Sequence, residues 1–181
     1  MDRTELRTER LLLRPWRLTD VDDAFAYASD PEWARYLWMT PQPYKRRDAE
    51  EFVARAVLDG WKDQAQFAIE FEGRAIGGVR LNLVDPAGRT AGLGYNVARS
   101  HWGRGIATEG AAAVIAYAFD VLGLHRVFAT VDTRNAGSMR VLQKLGMREE
   151  GILRKHRFYR GEYADEAHYA ILAEEYAALS H

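Results

Sequence analysis

Gly94-Tyr-Asn-Val-Ala-Arg-Ser-His-Trp-Gly-Arg-Gly-Ile-Ala-Thr-Glu-Gly110 is the stretch on which the reading of this chain turns. Its beginning, Leu93 to Ala98, has the β-branched and aromatic character of a strand. Its end opens a helix. From Ile106 to Leu122 the apolar residues Ile106, Ala107, Ala111, Val114, Ile115, Ala118, Phe119 and Leu122 recur at spacings of three and four. Between the two lies Trp102-Gly103-Arg104-Gly105. Two glycines at a strand-to-helix junction let the backbone turn sharply and come close to a ligand. The first amides of a helix have no partner within it, and the helix dipole there favours negative charge. Strand, glycine turn and helix start therefore make an anion site suited to phosphate, with Arg99 and Arg104 adding positive charge.

Several readings compete for that site. A Walker loop needs Lys followed by Ser or Thr after its last glycine, and Ile106-Ala107 stands there instead. A dinucleotide fingerprint needs Gly or Ala at Thr108 and an acidic residue about 20 positions on, where the chain reads Leu122-Gly123-Leu124-His125. An acyl-CoA pyrophosphate loop follows Arg/Gln-x-x-Gly-x-Gly/Ala. Trp102-Gly103-Arg104-Gly105-Ile106-Ala107 fits it except that Trp102 holds the Arg/Gln position. A tight turn with no ligand also stays open.

Composition narrows the classes. The chain of 181 residues is 48% hydrophobic and 28% charged, as expected for one globular domain over residues 1–181. A formal charge of -1 gives no electrostatic case for nucleic acid or an anionic membrane. No apolar run approaches a membrane span, and the polar start, Met1 to Arg10, predicts no signal peptide. The chain has no cysteine, and its five histidines form no His-x-x-x-His pair, so no metal is expected.

Working outward, Arg10 to Arg17 reads as a first strand, with Thr19-Asp20 as N-cap of a helix carrying Val21, Ala24, Phe25 and Ala28 inward. An aromatic piece, Trp33 to Tyr44, suits core or one wall of a cleft. Asp48 is the expected cap of a second helix. Strands are predicted over Gln66 to Glu72, Arg74 to Val84 and Arg126 to Asp132. Asn135 to Leu145 is a helix stopped by Gly146, and Gly151 to Tyr159 with Glu166 to Leu172 closes the chain as a hairpin. The order βααβββαβαββ is an α/β (α+β) domain with a mixed, mostly antiparallel central sheet.

This order and four of its stretches resemble the GCN5-related N-acetyltransferase (GNAT) superfamily, and within it the ribosomal-protein N-terminal acetyltransferase (RimJ/RimL-like) branch. The stretches are Thr8 to Arg14, Gly94-Tyr95 with Trp102 to Glu109, Leu122 to Val127, and Asn135 to Met147. The resemblance implies the GNAT fold with helices on both faces of the sheet, and acetyl-CoA as co-substrate. It implies a cytoplasmic enzyme acting on a primary amine, either a protein N-terminus or a small molecule, and it allows a homodimer. It places the strand of Tyr95 and Val97 splayed from the strand of Val127 to Val131, with pantetheine paired between them. It puts pyrophosphate on the loop of Trp102, Gly103, Arg104, Gly105, Ile106, Ala107 and Thr108, with Asn135 and Arg140 as further CoA contacts. The acetyl group falls to the backbone near Tyr95 and Val97. Ser138 is the implied acid for the leaving thiolate, because the superfamily's Tyr aligns with Leu142. The usual base positions hold Gly92 and Thr130 rather than Glu, which leaves an ordered water to carry the proton. Asp165, His168 and Tyr169 are expected near the acceptor. A silent acyl-CoA-binding module is the reading outside catalysis.

Overall fold

The alternating stretches pair into one sheet of eight strands in the computed structural model, which describes residues 1–59 and 61–179. In chain order the elements are β1 (Leu6–Arg7), β2 (Leu12–Pro15), α1 (Val21–Ala28), α2 (Arg46–Leu58), β3 (Gln64–Phe71), β4 (Arg74–Asp85) and β5 (Thr90–Val97). There follow α3 (Ile106–Ala116), β6 (Arg126–Asp132), α4 (Ala136–Lys144), β7 (Arg148–Tyr159), β8 (Glu162–Leu172) and α5 (Ala173–Leu179). The sheet order is β1-β2-β3-β4-β5-β6-β8-β7. Among the described residues only β5 and β6 run parallel. The expected order is present with β1 and α5 added, two short elements whose sequences carry too few residues to show a period.

The pleat sorts the core. Phe67, Ile69, Val79, Leu81, Leu93, Val97, Val127, Val131 and Ile171 point to one face and pack with Ile106, Val114 and Leu142 of α3 and α4. Gly110 lets α3 lie close to the sheet: a Cβ there would meet Ile69, Val79 and Leu11 at 3.5 to 3.7 Å. On the other face a smaller cluster of Trp16, Ala24, Ala49, Val53, Ala68 and Ala75 seats α1 and α2 over β2 to β4. The same face of β5, β6 and β8 lies beyond those helices and forms a cleft.

Two caps differ from expectation. Asp20 does not cap α1 with its side chain; it receives Arg14 at 2.8 and 2.9 Å and the Arg17 amide at 2.8 Å. Arg14 also donates to Glu70 at 2.5 Å, so β2, β3 and the α1 entry share one buried ionic group. Asp48 sits one turn inside α2 and receives the amide of Lys45, the actual N-cap residue, at 2.7 Å. The long helix from Ile106 ends in a π-turn over Tyr117–Val121. Among the described residues no helix is long and apolar enough to cross a membrane.

Candidate active site

The site begins where β5 and β6 part. Their parallel ladder has three pairs, Thr90↔Arg126, Ala91↔Val127 and Gly92↔Phe128. Beyond these, β5 continues to Val97 against β4, while β6 continues to Asp132 against β8. From Leu93 onward β5 therefore presents backbone groups to a gap rather than to β6. Unpaired backbone N–H and C=O groups are costly unless water or a ligand satisfies them. The Trp102 indole N–H takes one of them, donating to the Val97 carbonyl at 2.7 Å. Half of the Trp102 ring stays exposed, so it both packs the loop and edges the gap.

The glycine turn lies at the end of β5. Gly103 has φ of 73° and Gly105 has φ of 77°, a region that only glycine enters freely. A Cβ at Gly103 would meet nothing within 4 Å, so the space over it is open. The first bond within α3 runs from the Glu109 amide to the Gly105 carbonyl at 3.0 Å. The amides of Ile106, Ala107 and Thr108 precede it and have no helical partner. Glu109 is occupied elsewhere. It accepts from Thr8 at 2.5 Å, the Arg10 amide at 3.0 Å and the Arg10 side chain at 2.7 Å. Burial alone pushes its carboxyl up, but these bonds from Thr8 and Arg10 outweigh it and hold it below the usual range. Glu109 thus locks the segment before β2 to α3, and Arg10 in turn donates to the Arg104 carbonyl at 3.0 Å. The Arg104 guanidinium lies over the Phe71 ring, 5.2 Å from its centroid.

Across the gap stands α4. Asn135 caps it, accepting the Ser138 amide at 3.0 Å, as its position before the helix predicts. Tyr95 reaches over from β5: its hydroxyl lies 2.8 Å from Ser138 Oγ and 3.1 Å from the Ser138 carbonyl. Burial pushes the Tyr95 phenol up to about 12, with the Ser138 bond opposing, so it stays a proton donor across the working pH range. Leu142, where the superfamily's Tyr would stand, is buried in the core. Tyr95, Val97, the loop 102–108, Asn135 and Ser138 are therefore brought to one end of the sheet. Arg140 lies further along α4 and is exposed.

A cleft of about 740 Å³ leads from Tyr95, Asn135 and Ser138 past Thr130 to an aromatic wall that includes Trp33, Tyr36, Trp38 and Tyr44. The wall is tied to the β7–β8 hairpin. Arg157 lies 4.6 Å over the Trp38 ring, and Arg160 donates to the Ala34 carbonyl at 2.7 Å. Of the residues expected near the acceptor, Asp165 lines the cleft. Tyr169 does not. It points to the α3–α4 core, on the face opposite Glu166 and His168, and donates to Glu149 at 2.8 Å. His168 lies on the opposite face from Tyr169, across from Thr130. Gly92, one of the two empty base positions, faces the Phe128 ring: a Cβ there would sit 3.3 Å from it.

The sequence reading missed Glu166 and Asp132, both of which line the cleft. Asp132 accepts from Tyr159 at 2.5 Å and Arg134 at 2.7 Å, and these bonds hold it low against the opposing effect of burial. Glu166 accepts from Arg157 at 2.9 Å and His156 at 2.6 Å. A usable signal was present: Ala164, Glu166, His168 and Ala170 share one strand face, and a carboxylate between small residues there calls for a partner.

The acetyltransferase (GNAT) domain profile matches residues 10–148. The uncharacterized N-acetyltransferase p20 of Bacillus licheniformis is 33% identical over 174 residues, covering 95% of this chain and 98% of its own. Spermidine N(1)-acetyltransferase of Escherichia coli (strain K12) is 28% identical over 117 residues, covering 65% of this chain and 63% of its own. The crystal structure of the acetyltransferase (GNAT family) from Bacillus anthracis has a TM-score of 0.84 at 28% identity, covering 94% of this chain and 99% of that one.

Proposed function

The chain belongs to the acetyltransferase (GNAT) family and is an N-acetyltransferase; on that premise we propose that residues 1–181 act as one domain moving acetyl from acetyl-CoA to a primary amine, the α-amino group of a peptide N-terminus being the acceptor. The parting of β5 from β6 after three residue pairs carries this reading. An amide chain such as pantetheine fits a sheet edge of unpaired backbone groups as a short extra strand does. The open space over Gly103 and the free amides of Ile106, Ala107 and Thr108 suit its pyrophosphate. Arg104 belongs to that loop; Asn135, at the start of α4, is assigned to the pantetheine side, and Arg140 of the same helix to a CoA phosphate.

When bound, acetyl-CoA supplies a thioester whose carbonyl carbon the amine attacks. Backbone amides near Tyr95 and Val97 offer bonds to the developing oxyanion. The Ser138 hydroxyl gives its proton to sulfur as the carbon–sulfur bond breaks. Tyr95, 2.8 Å from Ser138 Oγ, is placed to replace that proton.

The cleft walls favour a peptide end. Asn96 Oδ1 and Trp33 Nε1 are buried, have no hydrogen-bond partner and line the cleft. One accepts and the other donates. An α-amino group followed by a carbonyl answers both, whereas a polyamine offers donors alone. The second reading, a small-molecule amine, draws on Glu51, Asp59 and Asp165 along the same cleft and on the E. coli spermidine enzyme's similarity. Thiol release from acetyl-CoA decides between them. A peptide with a free N-terminus should react faster than its N-blocked copy and faster than spermidine. Binding of acetyl-CoA with no turnover of any amine would instead leave a silent module.

A further inference from the structure

We infer that His168, acting through the Glu166 carboxylate, receives the proton that the acceptor amine gives up. This rests on the acetyl-transfer reading above. An α-amino group, with a pKa of about 8, enters largely as ammonium and cannot attack until it loses a proton. Neither position expected to hold the base can act: Gly92 faces Phe128, and Thr130 is not a base at neutral pH. The structure fills the second position from the neighbouring strand. His168 is the register partner of Thr130, and Glu166 is the partner of Asp132, so all four side chains share the cleft face of the sheet.

Glu166 is the group that the cleft exposes to the acceptor. Its side chain is only 5% accessible. Burial alone pushes its carboxyl up, but bonds from Arg157, His156 and Thr130 outweigh that and hold it below the usual range. It is therefore ionised, and too weak a base to keep a proton. His168 Nε2 lies 3.6 Å from Glu166 Oε2, is buried, and has no hydrogen-bond partner. An unbonded buried imidazole nitrogen is costly, and one added proton turns it into the donor of a charge-assisted bond to that carboxylate.

The charges around the pair favour this. From β7, His156 lies on Oε2 and must donate through Nδ1, Arg157 donates to Oε1, and Glu150 attracts a charge on His168. Glu150 is also paired with Arg126 of β6, and Asp132 with Arg134. The ligand atoms of His156, Glu166 and His168 lie within 4.8 Å of one another, but the Arg157 guanidinium on the same carboxylate opposes a divalent cation there. In the step itself one N–H bond of the ammonium breaks and its electron pair becomes the attacking lone pair; an O–H bond forms at Glu166, then breaks as an N–H bond forms at His168 Nε2. Solvent takes the proton before the next cycle.

The test is a pH profile of kcat/KM with a free-amino octapeptide at saturating acetyl-CoA. The parent should hold its rate as pH falls from 8 to 7. His168→Gln keeps a donor for Glu166 but cannot store a proton. It should lose about fivefold over that unit as neutral amine disappears. At pH 7 it should run about 10²-fold below the parent. Glu166→Gln removes the carboxylate through which the proton passes and should lose the pH 7 rate as His168→Gln does. A His168→Gln profile that overlays the parent's, with turnover intact, overturns this inference and leaves the proposed function standing. A Glu166→Gln profile that overlays the parent's also overturns it. Failure of every amine to react overturns both.

Discussion

At the scale of single residues, the proposed reaction rests on the hydroxyls of Ser138 and Tyr95 and on Gly103 and Gly105. Ser138→Ala removes the proposed proton donor for sulfur while leaving the Asn135 cap, which uses the Ser138 amide. The maximal rate should fall by about 10²-fold with the acetyl-CoA KM nearly unchanged, as for an interaction made mainly in the transition state. Full turnover in steady-state assays of that variant would remove Ser138 from the mechanism. Gly105→Val should weaken CoA binding in calorimetry by at least tenfold, because a β-branched residue is strained at φ of 77° and the helix start would shift. Arg104→Ala should cost far less, since that side chain is exposed. The glycine turn and the Asn135 cap were legible in the sequence because each answers a local backbone need. Glu166 was not. Its burial depends on a bulge in β7, where the register jumps between Leu153 and Arg157 and Lys155 takes φ of 51°, swinging His156 and Arg157 onto it. No local spacing encodes that.

At the scale of elements, periodicity located α1 to α4 but not their ends, and it missed α5. Asp20 holds the N-cap position of α1 without a side-chain cap, and Asp48 lies inside α2 rather than at its cap, because an acidic residue near a helix start can serve any of several nearby amides and only tertiary contacts choose among them. Asp20 is claimed by Arg14. That ionic group joins elements and invites a direct measurement. Arg14→Ala leaves Asp20 and Glu70 facing each other without their cation. Urea unfolding at pH 7 should show a loss of about 3 kcal/mol. The two crowded carboxylates would then have raised pKa values when folded, so the deficit should shrink as pH falls through the carboxylate range. A deficit that is the same at pH 7 and pH 4 would show that the loss is one of packing alone.

At the scale of the whole molecule, the cleft exists because α1 and α2 cover only part of one sheet face and the β7–β8 hairpin reaches back over the rest. The Trp33 to Tyr44 segment could be read from sequence as core or wall; the structure makes it wall, since its contacts to the hairpin are separated by more than a hundred residues and carry no local mark. Arg160→Ala cuts the tie to the Ala34 and Arg35 carbonyls. It should raise KM for the acceptor several-fold and leave CoA affinity unchanged, which parallel acceptor and CoA titrations would check. The seam between β5 and β6 has a consequence beyond catalysis. Two half-sheets, one holding β1 to β5 and the other β6 to β8, share only three residue pairs of ladder. A molecule lying along that seam and binding only the folded chain acts as a mortar course between them. By mass action it adds about 2.7 kcal/mol when present at a hundred times its dissociation constant. The resistance of this chain to heat and proteases should therefore rise and fall with the supply of its own acyl donor.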